Sequence, residues 1–145
     1  MRLTQYTDYS IRVLVYLGVQ GEGLSTIGDI SRAYDISRNH LMKVVQQLAA
    51  AGYIHSRRGK GGGIRLNHPP EKISLGMVVR DMEPDFGLVE CFRPENQCVI
   101  TGACLLPATL NRAFQAFLDE LDKVTLADVL TPDKIPELTL KLQIN

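Results

Sequence analysis

Cys91, Cys98 and Cys104 are the only cysteines of the 145-residue chain, and all fall within Cys91-Phe-Arg-Pro-Glu-Asn-Gln-Cys98-Val-Ile-Thr-Gly-Ala-Cys104. Pro94 and Gly102 interrupt this stretch, which predicts a loop and not a helix or strand. A loop is free to turn its side chains inward, so thiols at these spacings can gather around one small centre. Soft thiolates suit zinc, copper(I) or an iron–sulfur cluster. Three ligands are one short of the usual four. A metal site here therefore needs a fourth ligand from elsewhere; otherwise these are three ordinary free cysteines.

The length predicts about one domain, and a 45% hydrophobic content is enough for a core. No apolar run is long enough for a membrane span. The first residues, Met-Arg-Leu-Thr-Gln-Tyr-Thr-Asp, lack the apolar stretch of a signal peptide. The expected location is cytoplasmic, where clustered cysteines more often bind metal than form disulfides. Net charge is zero, but it is divided unevenly. Residues 1–70 hold nine Lys/Arg and four Asp/Glu (9 − 4 = +5); residues 71–145 hold seven and twelve (7 − 12 = −5). A basic first half suits a polyanion-binding face confined to one module. No Ser/His/Asp or Cys/His catalytic set stands out, so an enzyme is not expected.

The elements that must position these residues follow from periodicity and caps. Ile11, Leu14, Val15 and Val19 predict a first helix over 6–20, capped by Thr7 or Asp8 and ended by Gly21 and Gly23. A second begins near Ser25 or Thr26, with Asp29 in the capping-box position and Ile27, Ile30 and Ala33 inward. Ser37 caps a third, from Arg38 to about Ala51, with Leu41, Val44, Val45 and Leu48 on one face and Gly52 after it. Two strand-like pieces then flank the Gly59–Gly63 tip, a hairpin signal. A short helix is expected over Ser74–Met82 and a long one over Pro107–Leu121, whose stripe of Leu110, Ala113, Phe114, Phe117 and Leu121 is a candidate dimer element. Leu126, Val129 and Leu130 would close this region. Leu138, Leu140, Leu142 and Ile144 alternate with a strand period, though at a chain end disorder is as good a reading.

This order predicts a mainly α fold with a small β-hairpin wing: a winged helix-turn-helix plus a long dimerisation helix. Residues 1–70 would be the DNA-binding domain, 71–104 a short helix and the cysteine loop, 105–130 the dimerisation helix and 131–145 a tail. The third helix would enter the major groove with Ser37, Arg38, Asn39 and His40 at base edges and Lys43 one turn on. Arg pairs bidentately with guanine and Asn with adenine. Arg57, Arg58, Lys60 and Arg65 on the wing would touch phosphates or the minor groove. Gly59-Lys60-Gly61-Gly62-Gly63 is not a P-loop, because no Ser/Thr follows the Lys and a strand follows the glycines.

Assembled, these segments resemble the NsrR group of winged-helix iron–sulfur repressors, which respond to nitric oxide. The resemblance covers about residues 1–130. It is carried by Leu3-Thr4 with Tyr6-Thr7-Asp8-Tyr9, by Ser37-Arg38-Asn39-His40-Leu41 with Lys43, and by Arg58-Gly59-Lys60 and Gly62-Gly63-Ile64-Arg65-Leu66. Val89-Glu90-Cys91 and the run from Ala113 to Leu130 complete it. The resemblance implies a homodimer on a double-stranded DNA operator, with nitric oxide as signal. It also implies an iron–sulfur cluster, 4Fe–4S in preference to 2Fe–2S, held by Cys91, Cys98 and Cys104 and by an oxygen of Asp8 of the partner subunit. The related IscR-type regulators carry a His three residues after the third cysteine; here that position is Pro107. A cluster-status sensor of that type, or a DNA-binding protein with structural zinc or no metal, are the alternatives.

Overall fold

The computed structural model of the chain describes residues 2–145. The elements run α1 Gln5–Gln20, α2 Ile27–Tyr34, α3 Arg38–Ala50, β1 Ile54–Arg57, β2 Gly63–Leu66, α4 Leu75–Met82, α5 Leu106–Asp122, α6 Leu126–Val129 and α7 Ile135–Lys141. Single 3-10 turns lie at Pro70–Lys72 and Glu90–Phe92. Among the described residues no helix is long and apolar enough to cross a membrane.

The predicted winged helix-turn-helix is present. In α2, Thr26 Oγ1 accepts from Asp29 N while the Asp29 carboxylate accepts from Thr26 N, the expected capping box. Ser37 Oγ accepts from His40 N and so caps α3, an interaction worth about 1 kcal/mol. Leu41, Val44, Val45 and Leu48 are its buried face, as the spacing requires. Gly52, at φ +85°, turns the chain out of the helix into β1. β1 and β2 pair antiparallel, Ile54 opposite Leu66 and Arg57 opposite Gly63. Gly59 and Gly61 take positive φ at the tip.

Three expectations are corrected. Thr4, not Thr7 or Asp8, caps α1: its side chain accepts from Thr7 N. The face that packs on the core is Thr7, Ser10, Val13, Leu14, Tyr16 and Leu17, while Ile11, Val15 and Val19 are only half-buried. Beyond α5, Leu126 and Leu130 are buried, but Val129 is 41% exposed because it lies in the helical turn α6, which Thr125 and Asp128 cap reciprocally. Third, the tail is neither strand nor disordered. It forms α7, which puts Leu138 and Leu142 on one face and leaves Leu140 79% exposed on the other. Leu142 joins the core formed by α1, α3, the hairpin and α4.

Backbone and side-chain contacts join the two helices that flank the cysteine segment. Leu75 N donates to Val124 O at 2.9 Å and Leu126 N to Ile73 O at 2.8 Å. Arg80 pairs with Asp122 across α4 and α5. The end of α5 is thereby pinned to the start of α4, and residues 83–105 form the connection between these helices.

Candidate functional site

The first turn of α3 stands in solvent: Ser37, Arg38, Asn39 and His40 are all exposed, as is Lys43. Arg57, Arg58, Lys60 and Arg65 are exposed on the wing. None of these basic side chains is in an ion pair among the described residues, although seven pairs form elsewhere. Unpaired cations on a recognition helix and an adjoining hairpin are what a polyanion needs. The two elements meet around a groove of about 490 Å³ lined by Thr26, Gly28, Arg38, Ser56 and Arg57.

The helix that carries Asp8 is bonded to the recognition helix. The Tyr6 hydroxyl lies 3.0 Å from the carbonyl of Lys43 and 2.7 Å from Gln47 Oε1. One turn along, the Tyr9 and His40 rings sit 6.3 Å apart, centroid to centroid. Burial raises the Tyr6 phenol above its ordinary value, so it stays a neutral donor at physiological pH. Asp8 is half-exposed and accepts from Arg12 at 2.8 Å. The Arg12 guanidinium also lies 5.8 Å from the ring centres of both Tyr9 and Tyr34. Tyr34 is pushed up to about 12, by burial first.

All three cysteines are free thiols. Cys91 lies in the 3-10 turn and is half-buried, Cys98 is exposed and Cys104 is half-buried. Their loop is braced by polar contacts and not by packing. Arg93 donates to Asp85 at 3.0 Å, Gln97 N to Glu90 at 2.9 Å, Cys98 N to Asn96 at 2.9 Å and Cys104 N to Ile100 O at 3.1 Å. Among the described residues no three His, Cys, Asp or Glu side chains are grouped as metal ligands, so the loop of a single chain does not close on a common centre. Apolar side chains beside the cysteines stand in water: Val99 is 97% exposed and Leu105 83%. The stripe of α5 is also largely unpartnered. Only Leu118 is buried, a residue the sequence reading did not select; Phe114 meets Phe86 at a tilt and stacks on Phe117, and both Phe114 and Phe117 stay partly exposed.

Sequence reasoning missed the polar cluster at the end of α4, where the segment leading to the cysteines starts. Glu83, 9% exposed, accepts from Thr4 N, Thr4 Oγ1 and Thr7 Oγ1. A carboxylate beside a proline at a helix end carries no signal of burial. It also missed Tyr6, whose role depends on a helix about forty residues away.

Comparison with known proteins is consistent with this geometry. The Rrf2 family, described as iron-dependent transcriptional regulators, matches residues 3–132. The chain is 52% identical over 132 residues to the HTH-type transcriptional regulator NsrR of Bacillus subtilis, covering 90% of each chain. It is 49% identical over 132 residues to the regulator of the same name from Bacillus licheniformis, covering 90% of this chain and 92% of that one. In structure it is similar to a putative transcriptional regulator from Listeria innocua, with a TM-score of 0.73 at 30% identity, covering 90% of this chain and 86% of the other.

Proposed function

From the premise that the chain belongs to the Rrf2 family of iron-dependent transcriptional regulators, we propose that Cys91, Cys98 and Cys104 hold an iron–sulfur cluster through which nitric oxide controls operator binding. The chain is a DNA-binding transcriptional regulator, as its NsrR relatives are named. The observation that carries the proposal is the pairing of a free three-thiol loop with a recognition helix and wing whose cations are unpaired. The donor types fit such a cluster: all three thiols are unbridged, no histidine lies outside the DNA-binding half, and the loop, which does not group its thiols in the single chain, would draw them together around the cluster. A bound cluster supplies iron that reacts with nitric oxide.

The chain's own residues supply the rest. Asp8 of the partner subunit is the fourth ligand, which requires a homodimer, and the exposed apolar residues of the cysteine loop and of α5 are surfaces that a second copy would cover. With Asp8 not engaged in this way, the carboxylate turns to Arg12, the pair seen in the single chain. Tyr6 and the Tyr9–His40 contact tie the Asp8 helix to α3, so a pull on Asp8 is felt at the reading head. We assign a 4Fe–4S cluster to this site, Ser37, Asn39, His40 and Lys43 to base edges, and Arg58, Lys60 and Arg65 to the backbone.

The test is protein purified without oxygen. A visible iron–sulfur absorption band, lost in each of Cys91→Ala, Cys98→Ala and Cys104→Ala, and operator affinity that falls about tenfold after stoichiometric nitric oxide, a change of about 1.4 kcal/mol, are expected. A colourless protein, or cluster-free protein that binds the operator as tightly as the loaded form, overturns the proposal.

A further inference from the structure

We propose that the groove between the start of α2, Arg38 and the wing binds one DNA-backbone phosphate, and that Arg38 is a phosphate clamp and not a reader of bases. The proposal rests on the DNA-binding reading above and changes the role that residue type and position suggest for Arg38.

A base-reading arginine at the first position of a recognition helix must extend away from the protein. Arg38 instead folds back over the first turn of α2. A Cβ built on Gly28 would lie 3.1 Å from Arg38 Nη2 and 3.5 Å from its Cζ. Gly28 is thus the seat of the guanidinium. The turn beneath it is itself an anion site in waiting. Helix geometry leaves the N–H groups of Ile27 and Gly28 without intrahelical acceptors, at the positive end of the helix. The one carboxylate in that turn, Asp29, is already engaged by Thr26 and Arg32. Ser25, 3% exposed, is among the residues beneath the groove, and its buried hydroxyl has no hydrogen-bond partner. Across the groove stands Arg57 of the wing, which like Arg38 has no ion-pair partner among the described residues. Two arginines without ion-pair partners and a helix N-terminus line one concave site of about 490 Å³. Such a set recognises a phosphate and carries no information about base identity.

The experiment uses the full chain, purified without oxygen, and two duplexes of equal length: one enriched by the protein itself from a random pool, one of unrelated sequence. Affinity is measured by fluorescence anisotropy across a salt series. Arg38→Ala should weaken both duplexes by the same factor, about tenfold for a lost charged hydrogen bond, and lower the salt slope by about 0.9. Arg38→Lys keeps the charge but loses the planar fork, and should restore most of the affinity for both. Gly28→Ala should displace the guanidinium and weaken both alike, with an unchanged far-ultraviolet circular dichroism spectrum. Asn39→Ala, as a control, should weaken the enriched duplex alone. The proposal is overturned if Arg38→Ala weakens only the enriched duplex, if it changes the sequence the pool yields, or if Arg38→Lys restores nothing. Should the wild-type chain bind neither duplex, the DNA-binding reading itself fails and this site with it.

Discussion

Thr7 Oγ1 donates to Glu83 Oε2 at 2.6 Å, joining residues 76 positions apart in a buried contact. Thr4 adds its backbone N–H and its hydroxyl to the same oxygen. The start of α1, which presents Asp8, is therefore tied to the end of α4, where the connection to the cysteines begins. Within one chain, the helix start that carries the candidate carboxylate ligand and the root of the thiol loop are thus joined through one buried carboxylate.

Removing this carboxylate strands buried donors, which costs more than an ordinary hydrogen bond returns. Glu83→Ala should lower unfolding free energy by about 1–3 kcal/mol. Urea unfolding of cluster-free protein measures it. A change within error would mean that water replaces the carboxylate at no cost.

Asp8 should matter for the cluster and hardly at all for the fold. Its pair with Arg12 is about half-exposed on both sides, and an i,i+4 pair of this kind contributes only about 0.2–0.5 kcal/mol. Asp8→Asn should leave the melting curve of cluster-free protein nearly unchanged while altering the stability or spectrum of the loaded form. An unaltered spectrum and nitric-oxide response would point to another fourth ligand.

Leu142 and Leu140 test the tail against its strand-like pattern. In a strand both would face the same way; here Leu142, the C-cap of α7, is buried at 6% exposure while Leu140 within the helix is 79% exposed. Leu142→Ala should cost about 2–5 kcal/mol in thermal or urea unfolding. Leu140→Ala should fall within about 0.5 kcal/mol of wild type. Equal costs would be incompatible with the helix.

Acid should loosen the capped helix starts. The Thr26 hydroxyl and backbone N–H hold the Asp29 carboxyl below its ordinary value, and the backbone N–H and hydroxyl of Thr125 do the same for Asp128. A depressed carboxyl contributes stability that is complete above the unfolded value, near 3.8, and is lost as pH falls through the lower folded value. Asp29→Asn and Asp128→Asn should each flatten stability against pH below about 4, the unfolded carboxyl range, with the curve at neutral pH only slightly lowered. Acid unfolding followed by circular dichroism reads this directly, and an unchanged acid limb would contradict it.

The winged module was legible before any coordinates because its signals are local. Ser37 with an apolar 41/44/45/48 face, Thr26 with Asp29, and glycines between two short strand-like pieces each act within a few residues. Where a competing local signal existed, the nearer-looking one misled. Thr7 and Asp8 are good caps, but the helix starts earlier, capped by Thr4, which accepts from Thr7 N while both threonines donate to Glu83. The strand-like alternation at the end of the chain yielded to a helix once Leu142 found space in the core.

What the sequence by itself determined is therefore the order and type of the main elements, the cysteine loop and the basic residues on the third helix and wing, since caps, periodicity and charge are properties of short stretches. Only the tertiary structure decided that Glu83 is buried under Thr4 and Thr7, that Tyr6 fastens α1 to Lys43, and that Arg38 lies over Gly28. Each of these joins segments that are distant in sequence or separated by a turn. Their geometry is set by how helices pack on one core, and no local pattern of residues records that packing.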